Sequence, residues 1–204
     1  MKQIIHKLSE PFPHLIVENM YNEEELKLIW EELTFLTKPN KLLDPTGYGG
    51  ASINGRALST AKALILELAY SRKELSNILT LSRKLFDGGY LSIFSKISPN
   101  CITARYMNNV VTKVRYYKNL DAYEPHRDMT SSYLICTYFN KEPKCFSGGQ
   151  LYFPEYNYEF ECKNNSMILM PTYILHGVKQ VNLENDYYLS GNGRYCITQF
   201  LQLI

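Results

Sequence analysis

Tyr123-Glu124-Pro125-His126-Arg127-Asp128 lies in the β-rich half of this 204-residue chain, and its reading decides what the rest of the fold is built to hold. Side chains alternate faces along an extended strand, so His126 and Asp128 point one way and Arg127 the other. One imidazole and one carboxylate then face a common space. Alone the spacing is weak, because solvated His-x-Asp pairs are ordinary on protein surfaces. A third residue gives it weight. His176 follows the apolar run Met167-Ile-Leu-Met-Pro-Thr172 and precedes Gly177-Val-Lys-Gln-Val181, which puts it at the mouth of a strand. Two imidazoles and one carboxylate with open positions suit non-haem Fe(II), and also tolerate manganese or zinc.

Outward from this centre, short runs rich in β-branched and aromatic residues predict strands at 101–107, 110–117, 132–139, 149–153, 158–162, 167–170, 177–181 and 194–201. Asn108-Asn109 and Asn164-Asn165 read as turns between pairs of them. The first hundred residues read differently. An apolar stretch at 12–20 runs into Asn22-Glu-Glu-Glu25, where Asn22 can cap a helix and Glu25 can close a capping box. Leu26, Ile29, Trp30, Leu33 and Leu36 then recur at helical spacing. His14 and Trp30 read as core residues. Further helices are expected at 60–70 and 71–88, the second opened by Ser71-Arg-Lys-Glu74 and stopped at Gly88-Gly89. Between the first helix and these two, residues 38–57 are dense in Gly, Pro, Asn and Asp, and a segment of that length reads as a lid or binding loop or as a connector. Helices first and about eight antiparallel strands afterwards predict an α+β fold. The strands should close as a double-stranded β-helix (jelly roll) under an N-terminal helical layer. One domain over 1–204 is expected, with helical support at 1–99 and the jelly-roll core at 100–204.

Composition narrows the function classes. Twenty-two basic and twenty acidic residues are well mixed, so no nucleic-acid or membrane-surface footprint follows. The longest apolar runs are too short to span a bilayer, and no apolar signal core opens the chain, so a cytoplasmic location is expected. Cys101, Cys136, Cys145, Cys162 and Cys196 form no Cys-x-x-Cys pair and read as buried free thiols.

Tyr117, Tyr123-Glu-Pro-His126-x-Asp128, Gly148-Gly-x-Leu-x-Phe-Pro154, Pro171, His176-Gly-Val and Gly193-Arg194-Tyr-x-Ile-Thr198 follow one another in a telling order. That order, over about 111–200, resembles the prolyl 4-hydroxylase-like branch of the Fe(II)/2-oxoglutarate-dependent dioxygenases. The opening Phe12-Pro-His-Leu-Ile-Val-Glu18 also looks like the amino end of that family. The resemblance implies Fe(II), 2-oxoglutarate and O2 as cofactors, with His126, Asp128 and His176 as catalytic metal ligands. It also implies that Arg194 binds the distal carboxylate of 2-oxoglutarate. Beside the resemblance, a planar, permanently charged fork matches a carboxylate in two parallel hydrogen bonds. Thr198, four residues on, shares the face of Arg194. Tyr117 matches a family tyrosine that reaches the cosubstrate, with Tyr116 as its rival, and Tyr138 stands where the family often supplies another hydroxyl. Gly148-Gly149 reads as close backbone approach beside the site rather than as a phosphate loop, because no helix or lysine follows.

The implied reaction hydroxylates an unactivated C–H bond while 2-oxoglutarate is decarboxylated to succinate and CO2. A prolyl residue of a peptide or protein is the family default, and small molecules are the other substrate class. Two rival readings stand beside it: a metal-dependent jelly-roll isomerase or hydrolase that uses the same ligands without 2-oxoglutarate, and a non-enzymatic jelly-roll binding module whose His-x-Asp is surface decoration. One departure from the family is visible. Arg194 lies eighteen residues after His176, a longer gap than usual, with 182–192 inserted as a polar, turn-rich segment.

Overall fold

Strand alternation sorts the side chains of this protein into two cores, seen in a computed structural model that describes residues 2–48, 50–183 and 191–204. The elements of the first half are β1 (Ile4–Leu8), β2 (His14–Glu18), α1 (Glu23–Leu36), β3 (Ser52–Ile53), β4 (Arg56–Ala57), β5 (Lys62–Ile65), α2 (Leu66–Ala69), α3 (Asn77–Ser82), α4 (Lys84–Asp87) and α5 (Tyr90–Phe94). The second half holds β6 (Asn109–Tyr117), β7 (Tyr123–His126), β8 (Tyr133–Phe139), β9 (Phe146–Gly148), β10 (Leu151–Phe153), β11 (Tyr158–Phe160), β12 (Ser166–Pro171), β13 (His176–Val178), β14 (Val181–Leu183) and β15 (Arg194–Gln202). A seven-stranded sheet runs in the order β1-β2-β12-β8-β15-β6-β5, and a four-stranded sheet runs β11-β10-β13-β7.

From β6 onward the chain passes repeatedly between these two sheets, and the antiparallel pairs that result make the double-stranded β-helix. In β8, Ile135 and Phe139 turn to one side and Leu134, Cys136 and Tyr138 to the other. The first side packs against Ile29, Leu33 and Leu36 of α1, Ile78 and Leu79 of α3 and Phe94 of α5. The second side closes against Leu151 and Phe153 of the small sheet. The large sheet is therefore buried on both faces, and its inward face becomes one wall of a cavity.

The helical layer is tied down by polar contacts as well as by its apolar stripe. Asn22 and Glu25 form the capping box in both directions, at 2.9 and 2.8 Å. Glu32, on the buried face of α1, accepts hydrogen bonds from the Ser76 hydroxyl and the Ile78 backbone N–H, both at 2.8 Å. Its carboxylate thus closes the start of α3. Glu32→Ala leaves two buried donors unpaired and should cost about 2–4 kcal/mol of stability, measured by chemical denaturation. An unchanged denaturation midpoint would mean that these donors find other partners.

Several local expectations are corrected. Residues 60–70 contain strand β5, paired with β6 from Lys62↔Tyr116 to Ile65↔Lys113, and only one helical turn follows. Residues 71–88 hold a 3-10 turn at Lys73–Leu75 and the two short helices α3 and α4 rather than one helix. The cap of α3 is Ser76, whose hydroxyl accepts from the Leu79 N–H, and not Ser71. Residues 101–107 are no strand: Pro99–Tyr106 is a 3-10 helix opened by Ser98 and Pro99, with Cys101, Ala104 and Met107 buried at intervals of three. The turn expected at Asn108-Asn109 is absent, since Asn109 already belongs to β6. All five cysteines are free, but only Cys101, Cys136 and Cys196 are buried. His14 is fully buried, and Trp30 packs edge-on to Phe139 and Tyr195, so both serve the core. Among the described residues no helix is long and apolar enough to cross a membrane.

Candidate metal centre

β7 and β13 are neighbours in the small sheet, and their register sets His126 opposite His176. The two rings stand 4.6 Å apart between centroids. β7 stops at His126, yet the chain stays open enough for Asp128 to turn to the same side. Its carboxylate oxygens lie 3.8 Å from His126 Nε2 and 3.4 Å from His176 Nε2. One ligand atom from each of the three residues lies within 4.8 Å of the others, the one such group among the described residues. A wider cleft of about 440 Å³ on the helical side, lined by Glu67, Lys73, Arg83 and Asp87 among others, gathers no comparable set.

The tautomers follow from the backbone. His126 Nδ1 lies 2.9 Å from the Glu124 carbonyl and His176 Nδ1 lies 2.8 Å from the Ile174 carbonyl. A carbonyl only accepts, so each Nδ1 carries the proton and each Nε2 presents a lone pair to the centre. Burial, with the neighbouring His176 second, pulls the His126 pKa down to about 4, so this imidazole is neutral and able to ligate near pH 7. Burial opposes ionisation of Asp128, but its close neighbours His176, then His126 and Arg115, outweigh it and hold the carboxyl below its ordinary value.

At the opposite end of the cavity, Arg194 opens β15 directly across from Tyr117 of β6. Its guanidinium is 2 % exposed, a deep burial for a permanent charge. The Tyr117 and Tyr138 rings flank it at 4.7 and 4.9 Å. Among the described residues Arg194 Nη2 donates only to Cys162 Sγ at 3.5 Å, while Nε, Nη1 and the Tyr138 hydroxyl have no partner there. Three unpaired buried groups around one spot are the signature of an absent acceptor. Gly149 makes the arrangement possible: its φ is +73°, and a Cβ there would stand 2.8 Å from Arg194 Cδ. The glycine pair is thus a place of close backbone approach.

The structure brings the other expected residues to the same cavity. Tyr117 and Thr198 line it, whereas Tyr116 turns into the helical core, where its hydroxyl accepts from the Gly193 N–H at 3.0 Å. Of the inserted segment 182–192, the first residues belong to β14, paired with β9, and 184–190 lie outside the described residues.

Four further residues at the site escaped the sequence. Tyr123 stacks on the His126 ring at 3.9 Å and fixes its plane. Arg115 lies over Tyr123 at 5.0 Å and donates from Nη1 to the Tyr48 hydroxyl at 3.1 Å. Lys113, 8 % exposed, rests against the Tyr48 and Phe200 rings at 5.1 and 5.3 Å. Burial, with the charge of Arg115 second, pulls the Lys113 ammonium down to about 8. Tyr48 comes from the 38–57 stretch, which through this one ring reaches Arg115 and Lys113. That stretch is fastened to β7 by the Arg56–Glu124 ion pair. Lys113 and Arg115 alternate with Val114 and Tyr116 and share the face of Tyr117, a pattern that by itself reads as a solvent face.

No protein-family model matches the sequence, and no curated protein matches it. Among solved structures, a prolyl-4-hydroxylase from Pseudomonas putida superposes with a TM-score of 0.61 at 11% identity, over 94% of this chain and 92% of that one. A prolyl hydroxylase from Trichoplax adhaerens, in complex with a hypoxia inducible factor oxygen degradation domain peptide fragment, gives 0.60 at 14%, over 93% and 83%. The viral collagen prolyl hydroxylase from Paramecium Bursaria Chlorella virus-1, in its 2-oxoglutarate complex, gives 0.58 at 12%, over 94% and 96%. The likeness extends over nearly the whole length of this chain and establishes the fold.

Proposed function

We propose that this chain is an Fe(II)- and 2-oxoglutarate-dependent oxygenase that hydroxylates an unactivated C–H bond, with a prolyl residue of a peptide as the first candidate substrate. The observation that carries the reading is the buried Arg194 guanidinium. Its unpaired Nε and Nη1 share a cavity with a His-Asp-His group, which puts a carboxylate-matching fork and a metal-ligand set in one space. The residues fit the implied groups. Asp128 and the Nε2 atoms of His126 and His176 would hold Fe(II), and Arg194 would take the distal carboxylate of 2-oxoglutarate with help from the Tyr138 hydroxyl. Tyr117 would lie along the cosubstrate, and Thr198 would bound it on the β15 side. Leu134, Leu151 and Val178 line the space between clamp and metal group, where they exclude water and strengthen every polar contact. When bound, the metal and 2-oxoglutarate supply the oxidation, in which O2 puts one atom into the substrate C–H bond and the other into succinate as CO2 leaves. In this reading residues 1–204 act as one catalytic domain.

The test is anaerobic titration of 2-oxoglutarate into the Fe(II)-loaded protein, read by the visible charge-transfer band of the chelated cosubstrate. Admission of O2 with candidate peptides should then give succinate and a product heavier by one oxygen atom. A protein that binds iron but develops no band would favour the isomerase or hydrolase reading, and one that binds no iron would favour the binding module.

A further inference from the structure

The inward face of β6 carries Lys113, Arg115 and Tyr117 on successive rungs, and only the last of these faces the Arg194 clamp. Arg194 pairs in register with Tyr117, Cys196 with Arg115 and Thr198 with Lys113. Two residues of strand advance about 7 Å, so Arg115 stands one such step from the clamp and Lys113 two. Arg115 is separated from the metal ligand His126 by the single ring of Tyr123. Among the described residues neither Arg115 nor Lys113 makes an ion pair, although both are more than nine-tenths buried. Tyr48 gives Arg115 a hydroxyl and gives both cations a ring face, but no counter-charge.

The oxygenase reading sharpens the imbalance. In it, the two charges of Fe(II) are met by Asp128 and the metal-bound carboxylate of the cosubstrate, and Arg194 is met by the distal carboxylate. Arg115 and Lys113 are left over. Buried charge without compensation is expensive, and a site that tolerates two such cations is arranged for an anion that arrives with the ligand.

We propose that the primary substrate carries a carboxylate, and that Arg115 and Lys113 bind it beside the metal group, apart from the cosubstrate clamp at Arg194. This assignment of a substrate class rests on the oxygenase reading above. The planar fork of Arg115 matches a carboxylate in two parallel hydrogen bonds, with the Lys113 ammonium as a second cation beside it, and the phosphorylated amide below tests the alternative anion. The surrounding Tyr48, Tyr123 and Phe200 rings add no further charge.

The experiment is equilibrium dialysis with mass-spectrometric readout, using a mixture of N-acetyl-amino acids, the matching N-acetyl-amino acid amides and N-acetyl-O-phosphoserine amide. The protein is loaded with Mn(II), which blocks turnover, and dialysed with and without 2-oxoglutarate. At least one free acid should be retained about tenfold or more over its own amide. Arg115→Gln should weaken that retention by about 30-fold or more, and Lys113→Met should weaken it less. Arg115→Lys, which keeps the charge and the fold but not the fork, should fall between. In all three variants 2-oxoglutarate affinity should stay within about twofold of wild type. Acids and amides retained alike, no retention of either, or preference for the phosphorylated amide would each overturn the proposal. So would acid retention untouched by all three substitutions, or a parallel loss of 2-oxoglutarate affinity, which would assign Arg115 to the cosubstrate. A wild type that fails to bind 2-oxoglutarate sinks the oxygenase reading separately, and the arm without cosubstrate still reports on the acids.

Discussion

His176→Ala should leave a folded protein that has lost nearly all of its iron. Removing the outer hydrogen-bond partner of a metal ligand typically costs 10–100-fold in affinity, so loss of one of only three protein ligands should cost more than about 100-fold. Stability should change little, because the backbone bond from His176 Nδ1 to the Ile174 carbonyl is worth only about 1 kcal/mol. His14→Ala is the matched control. It is also a fully buried histidine whose Nδ1 meets a carbonyl two residues back, at 2.8 Å from Phe12, yet it joins no ligand group. Iron content after anaerobic loading, with far-UV circular dichroism for the fold, separates the two variants. Iron retained by His176→Ala as in wild type would remove His176 from the centre.

The strand half of the chain was legible because inward and outward residues alternate there, and β8, β12 and β15 appear within a residue or two of their expected limits. The helical half was less so. Ala61-Lys-Ala-Leu-Ile-Leu-Glu-Leu-Ala69 is rich in helix formers, but the free edge of β6 claimed Lys62–Ile65 as a strand. Ile102 and Thr103 gave residues 101–107 the look of a strand, whereas burial there follows Cys101 and Ala104 in threes. At the site, His126, Asp128, His176, Arg194 and Tyr117 were visible as a motif order. Arg115 and Lys113 were not, because charges alternating with apolar residues normally mark a solvent face. Here the helical layer covers one face of β6 and the small sheet covers the other. Tyr48 was out of reach for a simpler reason: no periodicity says where an irregular stretch folds back.

The second large effect is expected at Arg194. Truncating one partner of a buried, hydrogen-bonded charge pair costs roughly 2–5 kcal/mol, mostly by stranding the other charge. At 1.4 kcal/mol per tenfold, Arg194→Ala should weaken 2-oxoglutarate binding by about 30-fold to 4,000-fold. Arg194→Lys keeps the charge but loses the fork and should fall between. Iron binding should be nearly unchanged in both, since the guanidinium lies against Tyr117, Tyr138 and Cys162 rather than against the metal group. Titration followed by the visible band measures the shift directly. An unchanged titration in Arg194→Ala would move the clamp to another residue.

The Gly149 backbone behind Arg194 also sets a length standard. Gly149 has given up its side chain to admit Arg194 Cδ, and the pairing of β15 with β6 holds the Arg194 Cα opposite Tyr117. In the oxygenase reading, the span from Arg194 to the metal group would act as a length gauge for the cosubstrate. A diacid one methylene longer or shorter than 2-oxoglutarate should then bind more weakly than 2-oxoglutarate itself.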